Sequence, residues 1–182
     1  MPRNPVAPEC FYADGLRFSC RACSVCCRHE PGYVFLSAED LAGLAAAKGV
    51  PPDEFTLMYC RWVLWTDGKG RPEERLSLRE RTGGTGPQRS EDCIFWRDGC
   101  TVYGARPLQC RIYPFWSELL ASAEIWRKTA EECPGIGGGA WHSKAEIANI
   151  LEKERAQRVI ARPYRNEPRT QTDKRLKTGE RR

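Results

Sequence analysis

The 182-residue chain contains only two histidines, and it has no apolar run long enough to cross a membrane. Its opening residues, Met-Pro-Arg-Asn-Pro-Val-Ala-Pro, lack the apolar core of a signal peptide. The glycine-rich stretch 83–87 lacks the Gly-Lys-Ser/Thr ending of a phosphate-binding P-loop. We therefore expect a cytoplasmic protein without a membrane partner or a nucleotide site of that type. Neither His29 nor His142 is expected to bind a metal.

An excess of positive or negative charge is also missing from most of the sequence. The formal net charge is +5, but residues 162–182 alone carry eight Lys or Arg against three Asp or Glu, which accounts for the whole surplus. The preceding 161 residues carry 21 charges of each sign, so they make no strong case for a nucleic-acid partner. Residues 161–182 are predicted to be a basic, disordered tail.

Cysteine, in contrast, is abundant. Four of the ten cysteines lie within the stretch Phe18-Ser-Cys-Arg-Ala-Cys-Ser-Val-Cys-Cys27. A spacing of two residues lets a tight turn direct both thiolates toward one ion or cluster, while backbone amides hydrogen-bond the sulfurs. Because thiols stay reduced in the cytoplasm, this arrangement favours metal binding over disulfides.

The composition predicts a small, irregular α+β fold. Thirteen prolines and sixteen glycines indicate many turns, and a modest core would gain from a metal that staples it. We expect short helices and β-hairpins around a Cys-rich metal centre in a single domain over residues 18–160. Residues 1–17 are expected to be an N-terminal extension that packs on this domain, and residues 161–182 form the tail.

Capping signals predict where two helices lie. Ser37 followed by Asp40 three residues later is typical of a helix start, and Gly49 is typical of its end. Ser143 and Glu146 predict the start of a final helix in the same way. The other predicted elements are a strand over 33–36, a helix over 51–60, a hairpin of 61–66 and 75–79, a loop over 81–91, a tight hairpin over 93–100 and a helix over 117–132.

The segment from Gly135 to Ala140 has a Gly-x-Gly-x-x-Ala pattern that is also found in dinucleotide-binding loops. Such loops follow a strand, and here no strand is predicted and Cys133 occupies its place. We interpret these glycines instead as positions at which the backbone approaches a metal centre closely.

Eight cysteines form the candidate set of metal ligands. Cys10 and Cys60 lie outside the tight spacing and are expected to be packed thiols. Successive side chains usually diverge, so the adjacent Cys26 and Cys27 indicate two neighbouring sites, or one ligand and one core thiol. Eight thiolates suit two four-coordinate sites, a shared polynuclear cluster, or one cluster with additional structural thiols. The candidates are Cys20, Cys23, Cys26, Cys27, Cys93, Cys100, Cys110 and Cys133.

Spacing separates the possible metals only in part. Three cysteines at i, i+3 and i+6 are typical of ferredoxin-like loops, and Cys133-Pro134 is similar to the Cys-Pro of a remote fourth ligand. Structural zinc more often uses paired CxxC turns. We therefore favour an iron-sulfur cluster or iron as the cofactor, with zinc as the alternative. Four arginines beside cysteines are candidates to offset the negative charge of the thiolates: Arg21, Arg28, Arg106 and Arg111.

Four segments together resemble the YkgJ-type cysteine-cluster family. They are Phe18-x-Cys-x-x-Cys-x-x-Cys-Cys27, Cys93-Ile-Phe…Gly-Cys100-Thr-Val-Tyr103, Arg106-Pro-Leu-Gln-Cys110-Arg-x-Tyr-Pro-Phe115 and Cys133-Pro-Gly. The resemblance covers about residues 10–150, and all eight candidate cysteines match the family's pattern. It implies a zinc- or iron-chelating domain. A related domain occurs in a bacterial enzyme that methylates flagellin lysines, but we find no credible methyl-donor site in this chain.

These observations leave three functional hypotheses. The first is a metal-binding protein with a structural, redox or metal-handling role, whose partners are a metal ion or cluster and a candidate protein client. The second is a protein-modifying or redox enzyme with a substrate cleft beside the centre. The third is a zinc-stabilised interaction module. The cleft of the second hypothesis would be lined by Tyr103, Arg106, Arg111, Tyr113 and Trp116.

Overall fold

The computed structural model describes residues 10–28, 32–81 and 92–164. Single-turn 3-10 helices occupy Val25–Cys27 and Tyr103–Ala105. The α-helices within the described residues are short, and they are α1 (Ala38–Lys48), α2 (Pro52–Tyr59), α3 (Leu108–Ile112), α4 (Ala123–Glu132) and α5 (Lys144–Ala156). None of them is long and apolar enough to cross a bilayer.

Side-chain caps determine where α1 and α5 begin. Ser37 and Asp40 form the predicted capping box at α1, which ends at Gly49 with a left-handed φ of 66°. Ser143 and Glu146 form the same reciprocal pair at α5. The structure therefore confirms both predicted helices.

Helix α4 begins later than the sequence predicted. The helix expected over 117–132 starts at Ala123, because the hydroxyl of Ser122 accepts a hydrogen bond from the Ile125 N–H at 3.2 Å. Residues 117–120 instead form turns, from which Leu120 enters the core. The apolar spacing before Ser122 thus reflects turns that bury Leu120 rather than a helix.

The strands form two small antiparallel sheets, and they are β1 (Leu16–Phe18), β2 (Cys60–Thr66), β3 (Pro72–Leu78), β4 (Ile136–His142) and β5 (Ala161–Pro163). One sheet pairs β1 with β4, and the other has the order β2-β3-β5. The predicted hairpin is β2–β3, closed by the Asp67 carboxylate, which accepts N–H bonds from Lys69 and Arg71 at 2.8 Å each. Together, the elements confirm a small mixed α+β domain.

Two expectations about strands were wrong in detail. The segment 33–36 contributes a single bridge between Phe35 and Ser77 rather than a named strand. Conversely, β4 begins at Ile136, three residues after Cys133, where no strand was predicted. Its three successive glycines, 137–139, have low strand propensity, and the pairing with β1 overrides that propensity.

Two hydrophobic clusters lie in different parts of the domain. The first packs α1 and α2 against the three-stranded sheet and includes Leu36, Leu44, Phe55 and Leu76, each no more than 2% exposed. The second lies around α4 and α5 and contains Phe115, Leu120, Trp126 and Ile147, with Phe11, Tyr12, Leu16 and Phe18 packed against it. The segments that carry the cysteines connect these two clusters.

Some predicted features fall partly outside the described residues. These are His29, the loop over 81–91 beyond Arg81, residues 1–9 of the predicted extension and residues 165–182 of the predicted tail. The first residues of the segment expected to be a tail, Ala161–Pro163, form β5 against β3.

Candidate metal centre

The loop after β1 carries four candidate ligands on an irregular backbone. Ala22 and Ser24 have positive φ angles of 52° and 64°, a conformation that costs about 1 kcal/mol or more for a residue other than glycine and is concentrated at functional sites. The Ala22 N–H donates to the Cys20 sulfur at 3.4 Å, the type of bond that stabilises a thiolate. Cys20, Cys23 and Cys26 are exposed on this loop.

Two glycines after Cys133 hold the start of this loop against β4. A Cβ atom on Gly135 would lie 2.5 Å from the Ser19 carbonyl oxygen, and one on Gly139 would lie 2.2 Å from the Ser19 hydroxyl. That hydroxyl accepts the Ala140 N–H at 2.9 Å. The expectation of glycines that approach a metal closely is therefore corrected, because these glycines make room for the backbone and side chain next to Cys20.

The turn from Cys93 to Cys100 brings two more thiols to the site. The Cys93 N–H donates to the Cys27 carbonyl at 2.8 Å, which attaches the turn to the cysteine loop. The predicted tight hairpin with a cysteine at each end is not formed as such, because Cys100 pairs with Trp96 and Cys93 pairs with Glu80. The thiols nevertheless lie on one cavity.

Helix α3 positions Cys110 through two long-range hydrogen bonds and one bond to the turn that follows the helix. The Leu108 N–H donates to the Asp40 carboxylate at 2.8 Å. The Gln109 side chain accepts the Phe35 N–H at 3.0 Å, and its backbone carbonyl accepts the Trp116 indole N–H at 2.8 Å. Since α3 has only one turn, these bonds rather than helix propensity fix its place.

Cys133 lies at the end of α4 and is 7% exposed. Its N–H closes the last turn by donating to the Thr129 carbonyl at 2.9 Å, and β4 begins three residues later. The cysteine therefore sits at the junction between the second hydrophobic cluster and the cysteine loop.

All eight candidate cysteines line two adjoining cavities. The first has a volume of about 60 Å³ and is lined by Cys20, Cys26, Cys27, Cys93, Cys100 and Cys110. The second has a volume of about 70 Å³ and is lined by Cys20, Cys23, Cys26, Cys110 and Cys133. Leu78, Phe95 and Val102 of the first hydrophobic cluster form part of the first cavity, whereas Phe18, packed on the second cluster, lines the second cavity.

The remaining candidates lie elsewhere. Cys60 is 2% exposed within the first hydrophobic cluster. Cys10 is half-buried, and it is not among the cavity-lining residues. The Nε2 atom of His142 lies 3.1 Å from the Phe18 carbonyl, and its ring packs against Phe115. None of these three residues lines either cavity.

The side chains of the adjacent Cys26 and Cys27 do not diverge as strongly as expected. Their sulfur atoms lie 4.0 Å apart. The reason is the 3-10 turn over Val25–Cys27, which rotates successive side chains by about 120° instead of the 180° of a strand. If Cys26 and Cys27 bound two different metal centres, these centres would therefore be direct neighbours.

Burial and mutual repulsion keep several of these thiols protonated at neutral pH. Burial raises the pKa of Cys93 to about 11, although a hydrogen bond from the Phe95 backbone opposes the shift. Burial is also the main reason for the raised pKa values of Cys110 and Cys133. The raised pKa of Cys26 comes first from its hydrogen bond with Cys27. A metal that binds here must displace protons.

Three of the four arginines singled out in the sequence lie on the cavity walls. Arg106 lines both cavities, while Arg21 and Arg111 line the second. Arg28 instead covers the Trp96 ring, with its guanidinium carbon 4.2 Å from the ring centroid, and its Nε lies 3.8 Å from the Asp92 carboxylate. Positive charge is therefore available on the walls themselves.

The residues that hold the site were not identified from the sequence. Ser19, Asp40 and Gln109 attach the cysteine-bearing segments to partners at least 68 positions away in the chain. Asp40 was recognised only as a helix cap, and its second role, at the N-terminus of α3, has no local sequence signal.

Thiols predominate among the metal donors of the two cavities, whose walls also carry the hydroxyl groups of Ser24, Tyr103 and Tyr113. A third cavity of about 50 Å³ brings Glu80 near Cys26, Cys27 and Cys93, but this carboxylate accepts a hydrogen bond from Arg61. Among the described residues that line the two cavities there is no carboxylate and no imidazole. Soft sulfur donors suit zinc or iron rather than magnesium or calcium. Within the described ranges, however, no three His, Cys, Asp or Glu side chains are grouped as a ready site for a metal ion. The chemistry of the donors fits, whereas the sulfur positions are not those of a closed coordination sphere.

A family comparison agrees with this donor set. Residues 19–134, well over half of the 182 residues, match the CxxCxxCC family model, described as "Putative zinc- or iron-chelating domain". The chain belongs to the CxxCxxCC family. The part that matches the CxxCxxCC model contains all eight candidate cysteines, from Cys20 to Cys133, and leaves out Cys10. No solved structure matches this CxxCxxCC protein.

Proposed function

We propose that this CxxCxxCC protein binds iron, as an iron-sulfur cluster, or zinc through cysteine thiolates, in a structural, redox or metal-handling role. The observation that supports the proposal is the convergence of eight thiols from four distant segments on two adjoining cavities. The proposed ligands are Cys20, Cys23, Cys26, Cys27, Cys93, Cys100, Cys110 and Cys133.

Metal binding on this proposal includes a movement of the cysteine loop. Cys93, Cys100 and Cys110 are partly buried and belong to segments fixed by backbone hydrogen bonds, whereas Cys20 and Cys23 are exposed. The exposed thiols would move inward to complete the coordination sphere. Binding energy would then contribute to the order of the loop and to the stability of the fold.

The arginines on the cavity walls support a thiolate-rich centre. Four thiolates around one divalent ion carry a formal charge of about −2, which is unfavourable next to apolar residues such as Phe95 and Val102. Arg106 faces both cavities and would offset part of this charge, together with Arg21 and Arg111 on the second.

The cavities favour a metal over an organic substrate. Their volumes of about 60 and 70 Å³ are far below the roughly 300–1,000 Å³ of typical ligand sites. Tyr103 and Tyr113 do lie on the cavity walls, but Trp116 instead donates its indole N–H to the Gln109 carbonyl. A larger cavity of about 740 Å³ shares Arg111 with the second cavity, but no cysteine and none of the other four predicted cleft residues line it. The hypothesis of an enzyme with a substrate cleft beside the centre therefore has less support than metal binding.

Anaerobic purification, followed by metal analysis, sulfide analysis and an absorption spectrum on one sample, tests the proposal. Iron with acid-labile sulfide and a broad band near roughly 400 nm identifies a cluster, and a colourless protein with bound zinc identifies a zinc-thiolate centre. We expect Cys110→Ser to lose metal and Cys10→Ser, the control, to retain it. A wild-type protein free of both metals would contradict the proposal, and an unchanged metal content in Cys110→Ser would contradict the ligand set.

One surface favours a second candidate function, an interaction module whose fold a zinc centre stabilises. Tyr33 and Trp65 are 44% and 37% exposed, and both rings contact Phe35 at centroid distances of 5.7 and 5.1 Å. Contiguous exposed aromatic rings are typical of protein-binding surfaces. A photo-crosslinking residue at position 65 should then capture one recurrent protein in cells. The same residue at position 57, where Leu57 is 76% exposed, serves as control.

A further inference from the structure

The geometry points to two separate four-thiolate centres rather than one eight-thiolate site, an inference that rests on the proposed metal binding. We propose that one centre is held by Cys27, Cys93, Cys100 and Cys110 and the other by Cys20, Cys23, Cys26 and Cys133. The first set is named the turn quartet and the second the loop quartet.

Each cavity is lined by one complete quartet. The turn quartet lines the first cavity, and only Cys110 of its members also reaches the second. The loop quartet lines the second cavity, which Cys27, Cys93 and Cys100 do not reach. Of these two cavities, Cys23 and Cys133 line only the second and Cys27, Cys93 and Cys100 line only the first, which assigns five of the eight thiols by position. Cys27 and Cys93 also line a third cavity of about 50 Å³, which Cys26 reaches from the boundary between the quartets.

The three thiols that reach both cavities are Cys20, Cys26 and Cys110. Cys20 and Cys26 lie three residues on either side of Cys23, which lines only the second cavity. Three thiolates at i, i+3 and i+6 suit one centre, so these two complete the loop quartet with Cys23 and Cys133. Because zinc and each cubane cluster draw on a total of four protein thiolates, Cys110 is then the fourth member of the turn quartet.

The position of Cys133 agrees with this division. Cys133 lines the second cavity together with Cys20, Cys23 and Cys26, and it does not line the first. Gly135 and Gly139, a few residues after Cys133, hold the beginning of the cysteine loop against β4. The loop quartet thus consists of one CxxCxxC turn and one remote cysteine that β1–β4 pairing brings to it.

The adjacent Cys26 and Cys27 mark the boundary between the quartets. Cys27 is fixed to the turn because its carbonyl accepts the Cys93 N–H at 2.8 Å. Cys26 lies one step along the 3-10 turn, with its sulfur 4.0 Å from that of Cys27. The two centres would therefore be neighbours that share a wall but no ligand.

Titration of the reduced, metal-free protein with Co²⁺ ions alone tests this division, because cobalt in a tetrahedral thiolate site absorbs strongly. We expect the wild type to bind two equivalents. Cys23→Ser and Cys100→Ser should each bind one equivalent of Co²⁺. The double variant should have no site that binds Co²⁺ through four sulfur ligands. Cys10→Ser should behave as the wild type. Cys23 is exposed, so its substitution leaves the packing unchanged.

The metal content of the anaerobically purified proteins provides the second measurement. Cys23→Ser should lose the metal of the loop quartet and keep that of the turn quartet, and Cys100→Ser should do the opposite. The two losses of metal should add up to the metal content of the wild type. If each single variant loses all bound metal while the wild type binds it, the two-centre division is overturned and metal binding stands. A wild type that binds neither its own metal nor Co²⁺ overturns both.

Discussion

Gly135 sets how closely the first cysteine approaches the rest of the site. Its position against the Ser19 carbonyl leaves no room for a side chain. At Gly138, in the β4 strand that follows, a Cβ atom would meet only the Arg21 guanidinium, at 3.4 Å. A side chain is therefore sterically excluded at Gly135 but not at Gly138.

Substitution of these two glycines should have different outcomes. Gly135→Ala must push β1 from β4, so we expect the free energy of unfolding to fall by about 1–3 kcal/mol and metal content to decrease. Gly138→Ala should change the free energy of unfolding by less than about 0.5 kcal/mol and retain metal. Urea unfolding with metal analysis of both variants checks this. Equal effects would show that the close contact at Ser19 is not needed.

Cys60 provides a pH-dependent test outside the metal centre. Burial raises the pKa of this thiol to about 11 from 9.0, and Arg79 only partly opposes the shift. Because the folded-state pKa is the higher one, the stabilisation is full below pH 9 and is lost as pH rises through 11. Between these pH values the wild type should lose more free energy of unfolding than Cys60→Ala, by on the order of 2 kcal/mol. Parallel losses in urea titrations would refute this.

At the scale of elements, α3 depends on bonds from distant residues. The Asp40 carboxylate accepts the Leu108 N–H, the Ser37 N–H and hydroxyl, and the Gln157 amide. One buried side chain therefore connects the starts of α1 and α3 with the end of α5. The position of Cys110, two residues after Leu108, follows from this connection.

Asp40→Asn should consequently weaken both fold and site. The amide has one acceptor oxygen in place of two, which leaves at least one of the buried donors unpaired, and we expect a loss of about 1–3 kcal/mol in the free energy of unfolding. Metal affinity should decrease as well, because α3 carries Cys110. Asp53→Asn, an exposed substitution in the first turn of α2, is the control and should leave both quantities unchanged. An unaltered metal affinity in Asp40→Asn would show that the hydrogen bonds of Asp40 are not needed to position Cys110 for metal binding.

The elements differ in how far the sequence predicts them. The caps at Ser37 and Ser143 and the turn at Asp67 are local signals, so α1, α5 and the β2–β3 hairpin followed from them. Strand β4 was missed because its glycines argue against a strand and its partner β1 lies some 120 residues earlier. The cysteines were found from residue type and spacing. The residues that position them, Ser19, Asp40 and Gln109, act through tertiary contacts that no local sequence pattern predicts.

For the whole molecule, the cavities lie between two hydrophobic clusters. Leu78, Phe95 and Val102 connect the first cavity to one cluster, and Phe18 connects the second cavity to the other. A bound metal would therefore join two parts of a domain whose cores are each small.

Metal removal should destabilise the domain as a whole. Ligand binding at 1,000 times its dissociation constant contributes about 4 kcal/mol, so we expect a chelator to lower the midpoint of thermal unfolding markedly. Cys110→Ser should show a smaller shift on chelation than the wild type, since it already lacks part of its metal. Differential scanning calorimetry with and without chelator measures both. A midpoint that does not respond to metal removal would show that the centre does not stabilise the fold.

X-ray absorption at the edge of the bound metal tests the central claim most directly. We expect a first coordination shell that contains sulfur only, at about 2.3 Å if the metal is zinc, and we expect Cys110→Ser to lower the amount of bound metal while Cys10→Ser does not. A shell dominated by nitrogen or oxygen at about 2.0–2.2 Å would contradict it, because the described residues that line the cavities offer thiols and neither imidazoles nor carboxylates.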